Sequence, residues 1–501
     1  MAKYNLLEEP WIPILKDAHV MELSLSECLL RSPAIERIET SSPLEEAVLH
    51  RLLLAILHRA LDGPKDLDEA LDWLEAGSFP TAPIEAYLEQ YHDRFFLFHE
   101  IAPFFQVPDL PEDKSREPWV SLRFELASGN NPTLFDHTTE EDFPLATYAE
   151  VARSLLVRQA YHPGGRSCGS KKNLESGPLA DAAALLPLGK SLFETLVLNL
   201  PPYDAGGDEP IWEAEPLRSA KLEGYTLTRP FSGVCRVYTW LTAGVRLLDD
   251  GDRVRNVSWG PGVKRLPVSF RDPMVGYRLG RAGDWERIGL KEERSFWRDF
   301  TAMLPARQDE WPATLTHSST VARDVNTSCN LRVIGRVRGR QQAKILDVRR
   351  EVYPLPGDLL SAAAQADLQQ ALTKAEEVGQ GLEKAGCRLA RDVLGETDPE
   401  KKMDPKHLKK LRAFVNSLPL LRLFWADLDA AFPHFLERLG QPEALVNWRL
   451  ALRRAAWQAW GTTRDSLGHA GRHLKGIARG ERELWTSLNA LGLREVEEVR
   501  Q

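Results

Sequence analysis

Apolar residues recur at near-helical spacing through Leu44, Val48, Leu52, Ile56 and Leu61, which predicts a buried helix. Shorter helices are expected around 67–76 and 84–91, and a further, mostly helical stretch near 291–304. Strand signals lie elsewhere in the first two thirds of the chain. Pro10 and Pro13 around Trp11 and Ile12 forbid a helix and favour an extended edge strand with a buried tryptophan. Gly233–Leu241 reads as a core strand and Gly244–Leu248 as its successor in a meander. From Leu331 to Arg350, two arms of β-branched and apolar residues flank Arg338-Gly339-Arg340-Gln341-Gln342, a centre too polar and too flexible for a buried strand, so a β-hairpin is predicted.

Beyond Pro354-Leu355-Pro356-Gly357 the strand signals vanish. Leu360 to Val393 predicts one long helix, Leu408 to Phe435 a second, Leu445 to Trp460 a third, and Leu467 to Leu488 a fourth, broken or kinked near Gly480. Four helices with short links make an antiparallel bundle. The expected fold is α+β: a large mixed α/β recognition domain over 1–357 carrying a basic β-hairpin, then a four-helix bundle over 358–501.

Charge changes this picture locally. The chain has 501 residues, 43% apolar and 27% charged, with a net charge of −8, which argues against coating nucleic acid with the whole surface. Yet the hairpin holds seven basic residues against one acidic residue. Strand alternation would project Arg336, Arg338 and Arg340 on one side, as a rail suited to an anion such as nucleic acid. The competing reading is that they are gatekeepers on an exposed edge. A second basic stretch, 251–281, interleaves Trp259, Phe270 and Tyr277 and carries a Gly-Pro-Gly turn before Lys264 and Arg265. On the bundle, Arg449, Arg453, Arg464, Arg472, Lys475 and Arg479 form either a basic face or an ordinary solvated one.

The loop His162-Pro163-Gly164-Gly165-Arg166-Ser167-Cys168-Gly169-Ser170-Lys171-Lys172 resembles a phosphate-binding loop, but Ser170 intervenes between Gly169 and Lys171, where G-x-x-x-x-G-K-[ST] needs them adjacent. A nucleotide-dependent enzyme using Gly164 to Lys171 is the alternative reading. The loop equally suits backbone contact with nucleic acid, with Arg166, Lys171 and Lys172 supplying charge, or a plain surface loop. Phe135 and His137, on a polar Asn/Gly/Pro-rich segment, either dock to a base or a partner or tuck beneath their own domain. His92-Asp93 reads as solvent-facing, with only a dipeptide likeness to paired metal ligands. No G-x-S-x-G or H-E-x-x-H occurs. The five cysteines are scattered singly, suggesting neither disulfides nor zinc. No apolar run approaches a bilayer span and the start lacks signal-peptide order, so a cytoplasmic protein without membrane contact is expected.

Asn5-Leu6-Leu7-Glu8-Glu9-Pro10-Trp11-Ile12-Pro13, Pro103-Phe104-Phe105-Gln106, the glycine-bearing loop, the basic hairpin with its glutamine tip and the terminal bundle together resemble the CasA family, the large subunits of type I-E CRISPR Cascade surveillance complexes. The resemblance covers nearly the whole chain. It implies a non-catalytic subunit that meets the other Cascade subunits and the 5′ handle of the CRISPR RNA. Such a subunit recognises the protospacer-adjacent motif in double-stranded target DNA, starts R-loop formation and helps recruit the helicase-nuclease. By position, the family's glycine loop falls on Gly164 and Gly165, its lysine finger on Lys264 with Arg265 as a rival, and its wedge on Gln341 and Gln342. Its loop for the guide handle and subunit docking falls on Phe135, Asp136 and His137. Arg336, Arg338 and Arg340 would then hold the separated strands by their phosphates. Several relatives carry zinc-binding cysteine clusters; this chain has none, so no metal and no cofactor are expected.

Overall fold

The computed structural model describes residues 2–112, 116–124, 144–165, 174–223, 227–266, 268, 270–281, 283–304, 310–325, 329–338, 345–395, 404–468 and 470–493. The chain divides into two compact units, Met1–Tyr353 and Pro354–Gln501. Strands occur in the first unit, and the second is helical among its described residues apart from the end of one strand. No described helix is long and apolar enough to cross a membrane.

Trp11 is fully buried, its indole N–H on the Leu6 carbonyl at 2.9 Å. The strand it leads into, β1 (Ile12–Lys16), is not at an edge: it lies between β2 (His19–Leu23) and β3 (Arg37–Ile38). Proline is tolerated in this middle strand because β3 pairs only with Ile14 and Leu15. Pro13 lies past that ladder and offers just its carbonyl, which accepts from the Glu39 N–H at 2.9 Å.

Helix α1 (Pro43–Leu61) is the hub of the unit. Ser42 caps it, Pro43 opens its first turn, and Glu45 and Glu46 follow, an order suited to the exposed amides and positive end of a helix. It is buried along most of its length. Both carboxylates are therefore buried and must be paired. Glu45 meets Arg123 at 3.2 Å and Arg153 at 3.3 Å, while Glu46 meets Arg332 and, at 3.3 Å, Arg350. Against α1 pack α3 (Thr81–Gln90) and α4 (Tyr148–Tyr161), and the unit also contains α2 (Leu67–Ala76), β4 (Ala184–Leu188) and β5 (Thr228–Pro230).

The stretch expected as a core strand, Gly233–Leu241, contains instead the short helix α5 (Val234–Tyr238). Its apolar composition suits a strand, but the Asp208 carboxylate accepts from the Cys235 and Arg236 backbone N–H groups at 2.7 and 2.9 Å. Capping by a residue distant in sequence overrides local propensity. Gly233 permits it: φ is +83°, and a Cβ there would lie 2.2 Å from Asp208. β6 (Ala243–Asp249) and β7 (Val254–Pro261) then pair antiparallel, and β8 (Lys264–Leu266) returns parallel to β5. The hairpin arms are β9 (Cys329–Arg338) and β10 (Ile345–Leu355), neighbours in a sheet ordered β10-β9-β4.

The helical unit comprises α6 (Ala362–Val393), α7 (Pro405–Ser417), α8 (Leu420–Glu437), α9 (Ala444–Asp465) and α10 (Gly471–Ala490). The second expected helix is thus two. Leu418 precedes Pro419 and is forced extended, with ψ 141°, as the proline ring requires. The fourth is not broken at Gly480. That glycine is where α10 meets its neighbours: a Cβ would stand 2.3 Å from the Trp460 ring and 2.9 Å from the Ala385 carbonyl oxygen. Gly480→Leu is expected to destabilise this unit by about 1–3 kcal/mol through overpacking. Amide exchange should show faster opening of α6 and α10, with the first unit unaffected.

Candidate nucleic-acid interface

α4 is started by a reciprocal capping box between Thr147 and Glu150 and stops at His162-Pro163. Two consecutive residues then need left-handed backbone, Gly164 at φ +79° and Gly165 at φ +90°. A side chain is excluded at Gly164 for a second reason, because its Cβ would sit 3.1 Å from the Ser176 nitrogen and 3.3 Å from the Leu174 oxygen. At Gly165 nothing among the described residues lies within 4 Å of that position, so the turn offers a surface free of side chains there. Gly165 and Leu174 exchange backbone hydrogen bonds of 3.0 and 2.8 Å, closing the neck of the loop. The His162 Nδ1 accepts from the Gly164 N–H at 2.9 Å. Burial, reinforced by the charges of Arg158 and Arg336, holds His162 well below the ordinary histidine range, so the ring remains an acceptor. The element entering the loop is a helix, whereas a nucleotide-binding P-loop is entered from a strand.

Lys264 opens β8, its N–H on the Leu227 carbonyl at 2.7 Å. Its side chain is exposed, and no ion pair is made by it among the described residues. Arg265, its rival in the sequence, faces the other way. Its guanidinium donates to the Ser176 carbonyl, lies 3.6 Å from Glu175 and stacks 4.3 Å over the Phe231 ring; its backbone N–H reaches Glu175 Oε2 at 3.2 Å. Adjacent strand residues take opposite faces, so the inward Arg265 leaves Lys264 outward. The limb Leu174–Ser176 thereby links the Gly164–Gly165 turn to the strand that carries Lys264. Glu175 and Phe231 carried no sequence signal, since they belong to no motif and Glu175 lies 90 positions from its partner.

The hairpin corrects the expected rail. Arg336 is 3% exposed; its Nε donates to the Ala180 carbonyl at 3.0 Å and its guanidinium lies 5.1 Å over the Phe124 ring. The strand is buried on both faces through Val337, so alternation does not separate a wet side from a dry one. Arg332 and Arg350 pair with Glu46, and Arg349 with Glu351 at 3.5 Å and Asp347 at 3.7 Å. The excess of basic residues in the hairpin is therefore met by carboxylates along the arms. Only the backbone of Arg338 is described. Arg340, Gln341, Gln342, Arg166, Lys171, Lys172, Phe135, Asp136 and His137 lie outside the described residues. His92 contacts Asn5 and Glu8 at 3.0 and 3.1 Å, a fold contact between the amino terminus and the segment after α3.

The model of the CRISPR-associated protein Cse1 family matches residues 5–459. The CRISPR-associated protein CasA/Cse1 of Thermus thermophilus is 52% identical over 509 residues, covering 100% of this chain and 99% of the relative. Among solved structures, Thermus thermophilus CasA (Cse1) superposes with a TM-score of 0.89 at 47% identity, covering 98% of this chain and 100% of that one. A chain of a CRISPR RNA-guided surveillance complex has the same fold, with a TM-score of 0.78 at 22% identity over 96% of this chain and 99% of its own.

Proposed function

We propose, from the premise that this chain belongs to the Cse1 family of CRISPR-associated proteins, that it is the non-catalytic DNA-recognition subunit of a cytoplasmic, RNA-guided Cascade complex. One observation carries the reading: Lys264, exposed and without an ion pair among the described residues, sits on a strand tied through Glu175 and Ser176 to a two-glycine turn that carries no side chain. A point charge and a turn without side chains suit close approach to a narrow groove. Minor-groove readout of this kind is degenerate and accepts several related motifs. Gln341 and Gln342 at the hairpin tip act as the wedge. The unstacking they impose, a few kcal/mol per step, is offset by the contacts that strand entry permits. Arg166, Lys171, Lys172, Arg338 and Arg340 hold phosphates, Phe135, Asp136 and His137 dock the guide handle and a neighbouring subunit, and the helical unit helps position the recruited helicase-nuclease. Arg336 has no part in holding phosphate, because its guanidinium is spent inside the fold.

The test is a binding assay with the assembled complex across duplexes of every motif variant. Lys264→Ala should reduce the preference for motif-bearing over scrambled duplex about tenfold, equivalent to ~1.4 kcal/mol. Gln341→Ala with Gln342→Ala should leave assembly intact and weaken capture of a fully paired target more than of one already unpaired beside the motif. Unaltered binding of the fully paired target by the glutamine variant would refute the wedge.

A further inference from the structure

Lys264 and the glycine turn come from segments about a hundred residues apart, and joint readout of a motif needs them held in one register. Three contacts converge on Arg265 to do this. Its backbone N–H, on the edge of β8 away from β5, is taken by Glu175 at 3.2 Å. Its guanidinium donates to the carbonyl of Ser176 while standing 3.6 Å from the Glu175 carboxylate. Its flat face covers Phe231 at 4.3 Å, and that ring packs edge-on against Trp240 at 5.1 Å, with the Phe231 N–H on the Leu266 carbonyl at 3.2 Å. Glu175 and Ser176 follow Leu174, which closes the neck with Gly165. The Ser176 nitrogen is also the atom nearest to where a Gly164 Cβ would be. One side chain therefore touches the return limb of the glycine loop and sits next to Lys264, with its orientation fixed from three directions.

We infer that Arg265 is a positioning residue for motif recognition, which, with Glu175 as its counterpart, fixes the register of Lys264 against the Gly164–Gly165 turn. It contacts no DNA itself. The fork geometry matters: a lysine at this position keeps the charge but cannot hold a carbonyl, approach a carboxylate and stack on a ring together. The inference rests on the motif-reading role proposed above and adds the residue that makes two separate elements act as one reader.

The experiment measures the ratio of affinities for motif-bearing and scrambled duplexes, using assembled complex that contains Arg265→Ala, Arg265→Lys, Glu175→Gln or Lys264→Ala. Arg265→Ala should lower the ratio about tenfold with affinity for scrambled duplex unchanged, and Arg265→Lys should recover only part of that loss. Glu175→Gln, which keeps an acceptor for the Arg265 N–H, should lower the ratio less. Combining Glu175→Gln with Arg265→Ala should add nothing beyond Arg265→Ala alone. If Lys264→Ala lowers the ratio and Arg265→Ala does not, the positioning role is wrong and motif reading by Lys264 stands. Should Arg265→Ala weaken both duplexes equally or prevent incorporation into the complex, Arg265 is structural only and the inference is overturned. An unchanged ratio in Lys264→Ala removes the motif-reading role and the inference with it.

Discussion

Replacing Asp272 by alanine is expected to lower the stability of the first unit by about 3–5 kcal/mol, the usual cost of stranding one member of a buried ion pair. Asp272 and Arg51 are 3% and 1% exposed at their side chains and are bonded to each other. Asp272 also accepts from the Met274 N–H at 3.1 Å, and Arg51 lies 4.3 Å over the Tyr238 ring. Without the carboxylate, a guanidinium is left in the middle of α1 with no compensating charge. The pair also ties the segment downstream of Lys264 to the central helix, so the loss extends toward β8. Urea unfolding of the full chain, followed by amide exchange in α1, measures the effect. Replacing Arg51 and Asp272 together by methionine and leucine should recover most of the stability, because the desolvation cost disappears with the pair. A single Asp272→Ala variant as stable as the parent would show that this pair does not anchor the unit.

Acid sensitivity is the second large effect. His58 and His317 are buried, and burial pushes both imidazoles down to about 4; their mutual repulsion adds to it for His58. Each donates one ring N–H to a backbone carbonyl, His58 Nδ1 to Gly63 at 2.9 Å and His317 Nε2 to Val197 at 3.0 Å. The unfolded chain, titrating near 6.5, binds more protons than the folded one between about pH 4 and 6.5, so stability rises with pH across that window and falls on acidification. From pH 7.5 to pH 5 each histidine should remove about 2 kcal/mol. His317→Gln and His58→Asn place an amide N–H near the lost donor without a titrating ring, and each should flatten the pH dependence of the urea midpoint. A profile as steep in the double variant as in the parent would contradict the assignment.

How much of this was legible in the sequence depends on how local each interaction is. The helices over 43–61, 67–76 and 81–90, the burial of Trp11, and the two arms of the hairpin follow from periodicity and from proline and glycine placement, which act within a few residues. Gly164 and Gly165 could be singled out because a pair of glycines beside a proline advertises unusual backbone. Errors arose where a distant group decided the outcome. Asp208 turned an apolar stretch into α5, Glu46 absorbed charges that composition left unbalanced, and the Phe124 ring with the Ala180 carbonyl drew Arg336 inward. Gly480 shows a subtler limit: glycine in a helical pattern signals either a break or a close approach, and only the Trp460 ring chose between them.

The sequence by itself determined most of the elements, the contrast between a mixed part and a helical part, and the family resemblance, because propensity, periodicity and motif order are properties of neighbouring residues. Tertiary structure alone decided which cations are available to an anionic partner. Lys264 and Arg265 are adjacent and equally basic on paper, yet one faces solvent and the other is held by Glu175, Ser176 and Phe231. Charge belongs to a residue; whether it is neutralised depends on what the fold places within a few ångströms, and that is not written locally in the chain.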